Sequence, residues 1–274
     1  MMGLSISSYL LWMLSIALGA FLCGLLFWRG AAARLPFFTA YLLCQIVTSC
    51  VDWVVLREHG FWSHAALDVA WTIAGILMVA EWLVTAELCW RGFRAYRGIW
   101  AITWRLLLGL FAVLLLQASY GALGRSNLIG SLVLALHRDL ALASAVILVA
   151  ILIIERHYQL ELDPLESRIA IGLCAYFITV VLSNSLLMQW YVTHWPAFSS
   201  RPPSVEHLEA WWNGAQLAVF DTALGVWCFA LRKPLPAPKP APEMLPPDTY
   251  GELSPAINYR LRTLNARLMD FLKT

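Results

Sequence analysis

Lysine is nearly absent from this chain. Of its 19 basic residues only Lys233, Lys239 and Lys273 are lysines, and the rest are arginines. No apolar run therefore offers an amine for a Schiff base. Charge of either sign is scarce, at 13% of 274 residues with a net charge of +2, against about a quarter in soluble domains. So small an excess excludes nucleic acid as a partner. The six cysteines, Cys23, Cys44, Cys50, Cys89, Cys174 and Cys228, all fall in apolar runs and none forms a CxxC. They read as reduced packing residues, which excludes a disulfide framework. His64, His157, His194 and His207 fall in loops or at helix ends without ligand spacing. Only His137 remains inside a run, too little for a catalytic zinc site. No nucleophile–base pair can be assembled either, so neither an enzyme nor a cofactor is expected. The N-terminus lacks a basic n-region and its apolar run is long for a signal peptide. Leu22 before Cys23 is not the small residue of a lipobox, and the segment reads as a retained first helix.

What the chain has is apolar length. Hydrophobic residues make up 60% and the mean hydropathy is +0.68, which places it among polytopic membrane proteins. Seven runs of spanning length occur, at about 8–28, 36–56, 67–90, 99–119, 129–154, 168–191 and 208–231. The expected fold is an all-α bundle of seven transmembrane helices in a lipid bilayer. Arg29, Arg34, Arg91, Arg94, Arg97, Arg105, Arg156, Arg168, Arg232 and Lys233 fall on one side; only Arg57, Arg125 and Arg201 fall on the other. By the positive-inside rule the N-terminus is outside and the C-terminus cytoplasmic, as in a bacterial inner membrane. Trp28, Trp90, Trp100, Trp104 and Trp227 would mark the inner interface. Trp53, Trp62, Trp190, Trp195, Trp211 and Trp212 would mark the outer one.

Beyond Leu231 the composition changes. Residues 232–249 hold the run RKPLPAPKPAPEMLPP, a proline-rich extended linker. In residues 250–274, Ser254-Pro255 offers an N-cap and first helical turn. Ile257, Leu261, Leu264, Leu268 and Phe271 then recur at helical spacing among Arg260, Arg262, Arg267 and Lys273. This basic amphipathic helix fits anionic lipid, a cytoplasmic partner protein, or the mouth of the bundle.

Ionisable residues inside apolar runs are functional-site candidates by default. Counted from the arginine at each cytoplasmic helix end, Glu81 lies about 15 Å deep, and Asp221 and Gln45 about 16 Å, near the middle of a ~30 Å layer. By the same count Asn184 lies at about 24 Å and Asp52 at about 27 Å, with His137, Arg138, Asp139 and Asn213 at similar height. Tyr41, Gln45, Thr48, Ser49 and Asp52 share one face of the second helix, which would line a polar cavity or bind helices together by hydrogen bonds. Arg138, read as the one cation at membrane depth, would reach down to Glu81 or Asp221. Glu87 would snorkel or pair with Arg91 or Arg94. A short internal echo aligns Ala70–Glu81, AWTIAGILMVAE, with Ala210–Asp221, AWWNGAQLAVFD, and sets Glu81 opposite Asp221. Helices 1–3 and 5–7 would then be parallel repeats joined by helix 4.

Acids at the middle of helices 3 and 7 resemble the layout of microbial rhodopsins. The seventh run, AWWNGAQLAVFDTALGVWCFALR, has no lysine to carry retinal, so that function is not implied. The three-plus-one-plus-three layout is similar to SWEET and PQ-loop transporters, but no Pro-Gln dipeptide occurs. The segment TAELCWRGFRAYRGIW, with the seven-helix plan, resembles a group of bacterial seven-helix membrane proteins over helices 1–4, a likeness that implies no activity.

Three functions fit these residues. One is a sensor or receptor-like protein, whose outward-facing polar cavity binds a small ligand or senses protonation and whose tail helix relays the signal. Another is a small-solute or proton-coupled transporter using Glu81 and Asp221. The third is a non-catalytic assembly subunit, in which the polar residues serve only as interhelical contacts.

Overall fold

The structure, a computed structural model, describes residues 6–59, 63–94, 96–123, 128–158, 163–194, 203–232, 263 and 265–267. All regular structure among them is helical. The helices are α1 (Ile6–Trp28), α2 (Pro36–His59), α3 (His64–Phe93), α4 (Arg97–Ala122), α5 (Leu128–Tyr158), α6 (Pro164–His194) and α7 (Pro203–Ala230). Six of them, α1 to α6, are long and apolar enough to cross a membrane; the apolar segment recognised in α7 runs from Gly214 to Ala230. The proline-rich linker from 233 onward and most of residues 250–274 lie outside the described residues. Thr263 and residues 265–267 are helical.

Local chemistry sets the ends of these helices. Proline opens α2, α6 and α7, where its missing N–H leaves no bond unmade. Ser63 caps α3 by accepting from the Ala66 N–H at 3.1 Å. At α6 the Asp163 carboxylate accepts from the Leu165 N–H, and Glu166 accepts from the Asp163 N–H, each at 3.2 Å. This Asp-Pro-Leu-Glu run is a reciprocal capping box. Gly30, at φ 67°, turns the chain sharply after α1 in a conformation that a side chain disfavours.

Packing then closes a ring. α1 packs on α2 and α7, α3 on α2 and α5, and α6 on α5 and α7, so the order around the ring is α1–α2–α3–α5–α6–α7. Helix α4 stands outside it, against α3 and α5. In this order α1, α2 and α3 form one half of the ring and α5, α6 and α7 the other. The outer surface is apolar: Leu106 and Leu116 of α4 are 67% and 70% exposed, as are many Val, Ile and Phe side chains elsewhere. The interior carries Glu81, Thr85, Glu87, Ser144, Asn184 and Asp221. This is the distribution of a multi-pass membrane protein, whose lipid-facing side chains are apolar and whose polar groups turn inward.

Trp227 departs from the aromatic-belt expectation. Trp28, Trp90 and Trp104 are exposed, but Trp227 is fully buried. Its ring meets Phe38 edge-on at 5.1 Å and its indole N–H donates to the Arg168 carbonyl at 3.1 Å. Gly172 makes this approach possible, because a Cβ there would stand 2.6 Å from Trp227 Nε1. Gly172→Ala is therefore expected to overpack the α6–α7 contact and lower stability by about 1–3 kcal/mol. Thermal unfolding in detergent would show this, with partial recovery in the double variant that adds Trp227→Phe.

Charged ends of five helices, basic on α1, α2, α3 and α7 and acidic at the start of α6, meet at one end of the ring. Arg29 donates to the Arg232 carbonyl at 2.9 Å, Arg34 faces Asp163 at 3.9 Å, and Arg91 faces Glu166 at 3.5 Å. Glu87 neither snorkels nor forms an ion pair with Arg91 or Arg94. Its carboxyl accepts from the backbone N–H groups of Phe37 and Phe38, at 3.4 and 2.9 Å. An acid of α3 thus caps α2, whose first N–H groups have no partner in their own helix.

Candidate functional site

Glu81 stands where α2, α3, α5 and α6 converge, and is 5% exposed. Helix α5 brings His137, whose Nε2 lies 3.2 Å from Glu81 Oε2. Helix α2 brings Tyr41, whose hydroxyl donates a long hydrogen bond of 3.5 Å to Oε1. Helix α6 brings Tyr176 to the same cluster, its ring 5.3 Å from that of Phe220. Phe220 of α7 completes the enclosure, with its ring 6.3 Å from that of Tyr41. One turn along α3, Thr85 donates back to the Glu81 carbonyl at 3.1 Å. An imidazole and a carboxyl in contact can share a hydrogen bond in either direction of charge, and the Tyr41 hydroxyl donates to the same carboxyl.

Asp221 belongs to a different place. It sits on α7 against α1, 6% exposed, and Ser15 donates a hydrogen bond to its Oδ1. Its Oδ2 is buried and has no hydrogen-bond partner among the described residues. Beside this pair runs a crevice between α1, α2 and α7, lined by Ser15, Gly19, Gln45, Ser49, Phe220 and Leu224 among others. It has room for about one water molecule.

The expected midplane layer is thus divided. Glu81 and Tyr41 share the central cluster, whereas Gln45, Ser49 and Asp221 gather around the crevice. Glu81 of α3 bonds a residue of α5, and Asp221 of α7 bonds a residue of α1. Thr48 is buried but spends its hydroxyl on its own helix, donating to Cys44 and Gln45 carbonyls at 2.8 and 3.1 Å. Asp52 is half-buried at the far end of the same face. Asn184 is buried on α6, next to Ser183, which accepts from Gln216 of α7. Arg138 does not reach the acids. It turns to Asp139, at 2.8 Å, because adjacent residues of a helix point about 100° apart and His137 takes the inward direction. The side chain of Asn213 lies outside those described.

His137, Tyr176 and Ser15 are the functional candidates whose contacts the sequence did not single out. Each is a polar residue in an otherwise apolar helix, the only signal available for it. Among the described residues no group of three or more His, Cys, Asp or Glu could hold a metal ion. On the tail, the Asn265 side chain accepts from the Gly98 N–H at 2.8 Å, at the start of α4. No protein-family model, curated protein or solved structure matches this chain.

Proposed function

We propose that the chain is a protonation-responsive membrane sensor. Its seven helices span the bilayer with the N-terminus outside and the C-terminus in the cytoplasm, and its output is the C-terminal helix. The carrying observation is the Glu81–His137 contact, which ties α3 to α5 inside the ring. A change in the charge of that pair alters a polar bond between two helices on which α4 rests. Helix α4 in turn offers its first-turn Gly98 N–H to Asn265 of the tail. Three consecutive contacts therefore connect the buried pair to the cytoplasmic helix: pair to α3 and α5, these to α4, and α4 to Asn265. A basic amphipathic segment released from that contact would be free to engage anionic lipid or a partner protein.

The test uses the full chain in liposomes with a fluorescent non-natural amino acid at position 266, an exposed position in the tail. Emission followed against pH should change in a single sigmoidal step. A flat profile would sink the proposal, as would an unaltered step in the Glu81→Gln protein.

A second reading, proton-coupled transport of a small solute, draws on Asp221, a buried acid bonded to Ser15, which lines a crevice with room for about one water. It calls for solute or proton flux in liposomes that disappears in the Asp221→Asn protein.

A further inference from the structure

We infer that the joined ends of α1 and α7 form a binding site for the headgroup of an anionic phospholipid, whose phosphate is held by Arg29 and Arg232. Each arginine completes the last turn of its helix. The Arg29 N–H donates to the Leu25 carbonyl at 2.9 Å, and the Arg232 N–H to the Phe229 carbonyl at 3.3 Å. The Arg29 side chain then crosses to α7 and donates from Nη2 to the Arg232 carbonyl at 2.9 Å. That contact brings the two residues to one spot, although 203 positions separate them in the chain.

Charge at this spot is unbalanced. Arg34, Arg91 and Arg138 face the carboxylates of Asp163, Glu166 and Asp139. No acid among the described residues pairs with Arg29 or Arg232. Arg29 Nε is moreover buried without a hydrogen-bond partner among them. A guanidinium presents its donors in a planar fork matched to phosphate, and two such forks meet here.

The surroundings select what carries the phosphate. Arg29 lies over the Trp28 ring at 5.4 Å and Arg232 over the Phe229 ring at 5.9 Å, and Trp28 and Phe229 are 80% and 64% exposed. Phe27 and Val226, also exposed, continue the apolar surface toward the middle of their helices. In a multi-pass membrane protein such side chains meet acyl chains, and an arginine above an interfacial aromatic stands at headgroup height. A lipid fills both halves of the site at once, with its chains along α1 and α7 and its phosphate at the guanidiniums. A free phosphate ion fills only one. A net negative headgroup is favoured over a zwitterionic one, whose ammonium the two arginines repel.

This site stands independently of the Glu81–His137 pair and of the tail contact at Gly98. The full chain, purified in non-ionic detergent, is melted with increasing phosphatidylglycerol, with phosphatidylcholine of the same acyl chains, and with inorganic phosphate. Phosphatidylglycerol should raise the melting temperature by a few degrees with saturating dependence, because a ligand of the folded state stabilises it by mass action. The other two should have much smaller effects. Arg232→Gln is the informative variant, since the carbonyl that Arg29 bonds belongs to the backbone and stays in place. It should melt as the wild type does without lipid, yet need several-fold more phosphatidylglycerol for half the shift. Arg105→Gln, which removes an exposed arginine of α4, should leave that half-point unchanged. Native mass spectrometry should find fewer phosphatidylglycerol molecules retained on Arg232→Gln than on the wild type. No shift with phosphatidylglycerol, or an equal one with phosphatidylcholine or inorganic phosphate, would overturn the site. So would an unmoved half-point in Arg232→Gln, or the same loss in Arg105→Gln, which would point to diffuse surface charge.

Discussion

Glu81→Gln is expected to fold normally and to lose the pH-dependent movement of the tail. Glutamine has nearly the shape of glutamate, its carbonyl oxygen can accept from Tyr41, and its amide can donate to His137 Nε2. The polar contacts persist, but the group no longer gains or loses a proton. Glu81→Leu is a different experiment. It strands the Tyr41 hydroxyl and an imidazole nitrogen in the ring interior, at about 1–3 kcal/mol for each polar group left unsatisfied. We expect it to lower stability by about 3 kcal/mol or more, read from thermal unfolding in detergent, with the Gln variant within about 1 kcal/mol of wild type. Adding His137→Phe to Glu81→Leu removes one of the stranded groups and should recover part of the loss. The cycle built from these variants isolates the coupling of the pair. A Leu variant as stable as wild type would mean that the cluster is not held together by hydrogen bonding. A Gln variant that keeps the full pH response would move the sensing group elsewhere.

The helices themselves were legible because their signal is long and local. Seven apolar runs bounded by Arg, Pro and Gly correspond to α1 through α7, with ends shifted by a few residues where polar turns extend a helix beyond its apolar part. Asp163 and Glu166, with proline between them, announce the start of α6 without any knowledge of the fold. The inward-facing stripe of α2 was legible for the same reason: Tyr41, Thr48 and Ser49 are all buried and Gln45 and Asp52 half-buried, as their spacing required.

Depth counting worked less well between helices. It assumed that the arginine ending each helix lies at one common height, yet α5 has 31 residues. That is about 46 Å of helix for a ~30 Å layer. Its Arg156 end therefore overshoots, and a count from Arg156 places His137 in a higher layer than Glu81 although the two touch. Neighbour identity was not legible at all. Nothing in Glu87 indicates that its partners are backbone N–H groups of another helix rather than Arg91. Nothing in Trp227 indicates that a glycine on α6 makes room for it. Such facts depend on which helix faces which, and in a bundle with apolar sides all round the hydrophobic pattern does not decide it.

The other large effect belongs to the basic end. Arg91 and Glu166 face each other at 3.5 Å with side chains only 10% and 11% exposed, so neither charge can be left to solvent. Arg91→Met keeps much of the side-chain volume but leaves the Glu166 carboxylate buried with its pairing cation gone. Removing one partner of such a pair typically costs about 3–5 kcal/mol. Glu166 also holds the α6 capping box through the Asp163 N–H, so the loss should spread to the α6 start and to the Arg34–Asp163 contact beside it. We expect Arg91→Met to lower the melting temperature more than any other single change at this end. Glu166→Gln, which retains an acceptor for the cap, should be much milder. The double variant should lie closer to Glu166→Gln than to Arg91→Met, because neutralising Glu166 removes the charge that the arginine was needed to offset. If Arg91→Met and the double variant melt together, the penalty comes from lost packing of the arginine stem and not from the stranded carboxylate.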